Sequence, residues 1–108
     1  MTIQKTLLKL GLDYKQIEIF LILNELGQST AGKIAKKLML PKTTILDRLY
    51  SLEEKGLISK SKVKNSYIFI SPDPEILEFY LIREVKRLES LKSQIGRIIP
   101  ELKAKRKT

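Results

Sequence analysis

The chain contains neither cysteine nor histidine. Without cysteine there is no disulfide framework, no thiol nucleophile and no thiolate metal site. Without histidine the commonest metal ligand and general base is missing too. No apolar run approaches the roughly 18 residues of a membrane span, and the N-terminus lacks a signal-peptide pattern. There is no glycine-rich phosphate loop, and no carboxylate pair is arranged around an evident cleft. These absences argue against an enzyme and leave no cofactor or metal to expect. A cysteine-free composition fits an intracellular protein.

What is present is charge. Twenty-one Lys and Arg stand against 12 Asp and Glu, a net charge of +9 over 108 residues. The excess is distributed, with 12 basic and 7 acidic groups in residues 1–74 and 9 and 5 in residues 75–108. Such an excess favours polyanionic partners, either nucleic acid or an anionic membrane surface. Apolar residues make up 43%, normal for a soluble globular chain, and the length suits one small domain with an appendage.

Residues 1–10 read as a short helix, with Ile3, Leu7 and Leu10 on one side and Gly11 as the stop. Asp13 followed by Gln16 is a capping-box pattern that opens a second helix running to about Leu26. Ile17, Ile19, Phe20, Leu21, Ile22 and Leu23 make that helix apolar on most sides, so it should be the centre of the core. Ser29 and Thr30 offer a cap for a third helix through Leu38, whose Ala31, Ile34, Ala35 and Leu38 face inward. Lys33, Lys36 and Lys37 lie on its outer side. Only Met39 and Leu40 separate it from a fourth helix, predicted over 41–55 with Pro41 at the first helical position and Gly56 beyond its end. Ile45, Leu49 and Leu52 share one stripe of this helix, while Thr43, Asp47, Tyr50 and Ser51 fall on the opposite side. A short helix, a tight turn and a second helix with an exposed polar face make a helix-turn-helix.

After Gly56 the period changes. Residues 57–63 and 66–71 are β-prone, and Lys64-Asn65 between them is a turn signal, Asn being tolerant of positive φ. The expected hairpin carries Lys60, Lys62 and Lys64 toward its tip. Helix-turn-helix followed by a basic hairpin is a winged helix. Two prolines within 71–74 mark a linker. From Glu75 onward Leu81, Leu88, Ile95 and Leu102 repeat every seven residues. Leu77, Leu91 and Ile98 form a second seam, broken by Glu84 and widened by Val85 and Ile99. Such a repeat points to a coiled coil rather than to a helix folded back on its own core. Pro100 should kink or stop it, and residues 103–107 form a basic tail. The predicted fold is therefore mainly α with a small β-hairpin. It comprises a winged helix-turn-helix in 1–74 and a long dimerisation helix in 75–108.

Several segments resemble the TrmB-type transcriptional regulators of archaea and some bacteria. They are Leu10-Gly11-Leu12 before an acidic cap, Glu25-Leu26-Gly27, residues 30–35, Leu40-Pro41-Lys42-Thr43, and Ser-Leu-Glu-Glu-Lys-Gly-Leu-Ile at 51–58. The likeness covers about residues 5–75. Two positions depart from it: Lys33 stands where Glu is frequent, and Met39 where Gly is usual in the turn between the two helices. The resemblance implies a DNA-binding and dimerisation unit without the effector-binding domain of longer relatives, so sugar sensing is not carried over and no small-molecule effector is evident.

In such a module the helix at 41–55 enters the major groove and the wing at 57–71 reaches backbone or minor groove. The expected recognition-helix contacts are Lys42, Thr43 and Thr44 in the first turn, with Asp47, Arg48 and Ser51 behind them. Asp47 fits a structural role equally well, and Arg48 is placed to meet phosphate rather than base. On the wing, Lys60, Lys62, Lys64 and Asn65 would meet the duplex. The expected dimer seam is Leu77, Leu81, Val85, Leu88, Leu91, Ile95, Ile98 and Leu102. The expectation is a homodimeric, sequence-specific binder of double-stranded DNA, cytoplasmic and nucleoid-associated, with no membrane partner. Against it stand a winged-helix adaptor that binds protein through the same helix face, and an RNA-binding winged helix.

Overall fold

The computed structural model describes residues 2–107, so Met1 and Thr108, the outer limits of the two expected segments, lie outside the described residues. The chain divides into two compact units, one running through Leu77 and the other beginning at Glu78.

In the first unit, α1 (Ile3–Leu10) starts at Thr2, whose hydroxyl accepts from the Lys5 amide at 3.2 Å. α2 (Tyr14–Leu26) opens on a complete capping box. Asp13 Oδ1 accepts the Gln16 amide at 2.7 Å, and Gln16 Oε1 accepts the Asp13 amide at 2.8 Å. α3 (Ala31–Leu38) is capped by Thr30, whose hydroxyl accepts from Lys33 N. α4 (Lys42–Glu54) begins one residue later than expected. Pro41 is its cap, with ψ at 142°, because extended ψ at that position lets the chain turn out of α3.

Three of these helices end in the same way. In each, an amide two or three residues past the helix end reaches back to a carbonyl in the last turn: Leu12 to Leu7, Leu40 to Ala35, and Leu57 to Leu52, at 3.2, 3.1 and 3.0 Å. This reversal requires a left-handed residue at its corner. Gly11 (φ 107°) and Gly56 (φ 79°) supply it without steric penalty. Met39, at φ 55° and ψ 44°, supplies it with a side chain attached.

The core is the meeting of α2, α3 and α4 with the sheet. Ile19, Leu23, Ile34, Ile45, Leu49, Leu52, Leu57 and Phe69 are fully buried. The stripe read at spacings of four and three in α4 is thus the inner face, and truncating one such leucine to alanine costs about 2–5 kcal/mol. α2 is less enclosed than its sequence implies. Leu21, Ile22 and Leu26 are only half-buried, and Leu21 and Ile22 line an open cleft beside Gln4 of α1.

β2 (Ser59–Val63) and β3 (Ser66–Ile70) form the antiparallel wing in the register Lys60↔Phe69 and Lys62↔Tyr67. The left-handed residue in its two-residue turn is Lys64 (φ 57°), not Asn65. A further strand joins them. β1 (Gln28–Ser29) pairs antiparallel with β3, giving the order β1-β3-β2, and Ser71 N donates to Gly27 O at 2.9 Å. Ser29, expected in the cap of α3, is instead buried in this strand. The pairing closes one edge of β3 and anchors the wing to the end of α2.

The second unit belongs to α5 (Ile76–Ala104). Pro100 does not stop the helix, which continues to Ala104. The carbonyl that loses its donor is that of Gly96, an exposed residue, so water can replace the missing bond.

Candidate nucleic-acid interface

The outer face of α4 presents its first turn to solvent. Lys42 and Thr43 are exposed and Thr44 is half-buried. Pro41 makes no side-chain hydrogen bond to the helix start, so the first-turn amides have no side-chain acceptor. That end of the helix carries partial positive charge in addition to the Lys42 ammonium.

Further along α4 the polar residues turn to each other rather than outward. The Arg48 guanidinium bonds through Nη1 to the neighbouring Asp47 carboxylate, and its Nε lies 3.4 Å from Asp13 Oδ2 at the start of α2. Asp47 is therefore engaged with Arg48, and Arg48 is held between two carboxylates. Ser51 is half-buried in the α2–α4 contact: Gln16 Nε2 donates to its Oγ at 2.8 Å, and that hydroxyl donates to the Arg48 carbonyl at 2.8 Å. Both of its strong directions are used internally. Gln16 thus has two tasks, closing the cap of α2 through Oε1 and tying α2 to α4 through Nε2.

The wing lysines divide in the same way. Lys60 does not stand at the tip. Its ammonium lies 3.4 Å from Glu53 Oε1 and sits over the rings of Tyr50 and Tyr67, at 4.8 and 4.9 Å from their centroids. Tyr50 in turn meets buried Phe69 edge-on at 6.0 Å. Lys60, Phe69 and Tyr67 share one face of the wing because directly paired residues point the same way. This cluster joins the end of α4 to the wing. Lys62, Lys64 and Asn65 are exposed beyond it.

Between the first turn of α4 and the wing lies a groove of about 390 Å³, bordered by Thr30 and Gly32 of the α3 start, Lys42, Tyr50, Asn65 and Tyr67. It brings Lys42 and Asn65, 23 positions apart in sequence, to one cleft. Sequence reasoning did not single out Tyr67 or the α3 start. The signal for Tyr67 was its alternation with buried Phe69, two residues on.

Of the expected seam residues, Leu81, Val85, Leu88, Leu91, Ile95, Ile98 and Leu102 are between 40% and 61% exposed, and Leu77 is half-buried in the first unit. Among the described residues no group of three His, Cys, Asp or Glu is placed to hold a metal ion, and no helix is long and apolar enough to cross a membrane.

The fold has close counterparts among solved structures. The ST1889 protein of the archaeon Sulfolobus tokodaii superposes with a TM-score of 0.62 at 24% identity, over 75% of this chain and 84% of that one. The transcriptional regulator Tm0710 of Thermotoga maritima gives 0.60 at 20% identity, over 94% and 78%. Reduced AbfR bound to DNA gives 0.59 at 23% identity, over 89% and 79%. No curated protein matches by sequence. The family model described as sugar-specific transcriptional regulator TrmB matches residues 7–75. That match spans more than half of the sequence, from the end of α1 to the linker before α5, and this chain belongs to the TrmB family of transcriptional regulators.

Proposed function

We propose that this chain is a sequence-specific regulator that binds double-stranded DNA as a homodimer and has no catalytic role. Residues 1–74 form the DNA-binding domain and 75–108 the dimerisation helix. The observation that carries the reading is the groove between the exposed start of α4 and the wing, with Lys42 on one side and Asn65 on the other. An α-helix fits the major groove by its width, and residues of its first turn reach base edges. Lys42 and Thr43 are the side chains free to do so. Lys62 and Lys64 reach the phosphate backbone beside it. The DNA-bound AbfR structure shares this fold. Such a regulator acts in the cytoplasm, at the nucleoid.

Lys60, Arg48, Asp47 and Ser51 take supporting parts in this reading. Each is committed to a partner within the domain, so each shapes the surface more than it contacts the duplex.

Fluorescence anisotropy with a selected operator and with random DNA tests the assignment. Lys42→Ala and Thr43→Ala are expected to lose affinity for the operator and little for random DNA, since a good base contact is worth about 1–3 kcal/mol of discrimination. Lys62→Ala is expected to weaken both equally and to reduce the salt slope by about 0.9. Equal loss on both DNAs for all three variants would refute the recognition-helix assignment. No binding at low salt would favour a protein-binding adaptor.

A further inference from the structure

We propose that the two α5 helices of the homodimer run antiparallel, with Leu88 of each copy against Leu91 of the other at the centre. The inference rests on the homodimer reading above and assigns the geometry of that same surface.

Glu84 interrupts the seam. It occupies the one seam position that is not apolar, in line with Leu91 and Ile98. Its carboxylate accepts from Arg87 Nε of the same helix at 2.7 Å. In a parallel, in-register pair, every seam residue faces its own copy. Glu84 would then oppose Glu84, and Arg87, flanking the seam, would meet Lys92 of the other helix. Both contacts join like charges at the edge of an apolar seam, where the local dielectric is low.

An antiparallel pair removes both conflicts. With the centre between Leu88 and Leu91, Leu81 packs against Ile98 of the second copy and Glu84 against Ile95. Val85 and Lys92 flank the seam on the same side as Glu84, so Lys92 of the second copy comes beside the Glu84 carboxylate. Arg87 meets the uncharged Gln94 instead of Lys92. The remaining layers are all apolar, and Leu81, Leu88, Leu91, Ile98 and Leu102 stand exposed in the single chain.

The arrangement also fixes a distance. Glu78, where the second unit begins, lies eleven to twelve residues before the centre. At 1.5 Å per residue the two helix starts are about 35 Å apart. A parallel pair would hold the two starts only about 10 Å apart.

The absence of native cysteine makes the test direct. Leu81→Cys and Ile98→Cys, both at exposed positions, are made singly in the full chain and oxidised in a glutathione buffer, alone and after mixing. The mixture should yield on the order of tenfold more disulfide-linked dimer than either variant alone, because a disulfide forms only across Cα separations below about 7 Å. Efficient linkage of Leu81→Cys to itself, or equal linkage in every combination, overturns the antiparallel arrangement and leaves the dimer standing. A wild-type monomer by light scattering overturns the homodimer reading itself.

Discussion

Replacing Met39 with glycine should stabilise the first unit, and the reason lies in the backbone. Met39 turns the chain between α3 and α4 at φ 55°, in the conformation that Gly11 and Gly56 adopt at the ends of α1 and α4. A residue with a Cβ in that region is strained by about 1–2 kcal/mol. The side chain offers little in return, since Met39 is 89% exposed. Glycine removes the strain but adds freedom to the unfolded chain, which offsets about 0.4–1 kcal/mol. At mid-range values the net gain is about 0.8 kcal/mol, which raises the melting temperature by about 3–6 °C in a unit of this size. Thermal unfolding by circular dichroism, with urea titration as a second measure, reads the effect. Met39→Ala serves as the control, because it shortens the side chain but keeps the strain, and it should not stabilise. A glycine variant no more stable than wild type, or an alanine variant that gains equally, would refute the argument.

Ser51→Ala should destabilise by about 1–3 kcal/mol in urea titration, since it strands the buried Gln16 amide that donates to Ser51. Lys60→Ala should lower stability by about 1 kcal/mol through loss of the Glu53 and tyrosine contacts. Its salt slope for DNA should change less than that of Lys62→Ala. Leu88→Lys, in the middle of the exposed α5 seam, should convert the dimer to monomer by light scattering while leaving the thermal transition of the first unit in place.

The recognition helix shows how far local pattern reaches. The spacing of Ile45, Leu49 and Leu52 identified its buried face because the helical period fixes which side chains share a side. The same pattern put Arg48 and Ser51 outside the apolar stripe, where any polar residue suggests a contact with a ligand. It had no means of showing that Asp13, 35 residues before Arg48, or Gln16, 35 before Ser51, would meet them. Lys60 is a similar case. Alternation in β2 places it on a face with Lys62, but only the packing of α4 against the wing brings Glu53 and Tyr50 beneath its ammonium.

Sequence alone determined most of the elements and their order: the capping box of α2, the glycine reversals after α1 and α4, the short turn before α4, the wing and the heptad repeat of α5. These follow from interactions within a few residues, and such interactions are encoded locally. Tertiary structure decided what contacts between distant segments decide. It paired Gln28 and Ser29 with β3, where two residues are too few to carry a period. It also sorted the polar surface of α4 and the wing. Arg48, Ser51 and Lys60 hold the domain together, Thr43, Lys62 and Lys64 are left facing solvent, and Lys42 and Asn65 border a groove shaped by residues far apart in the chain.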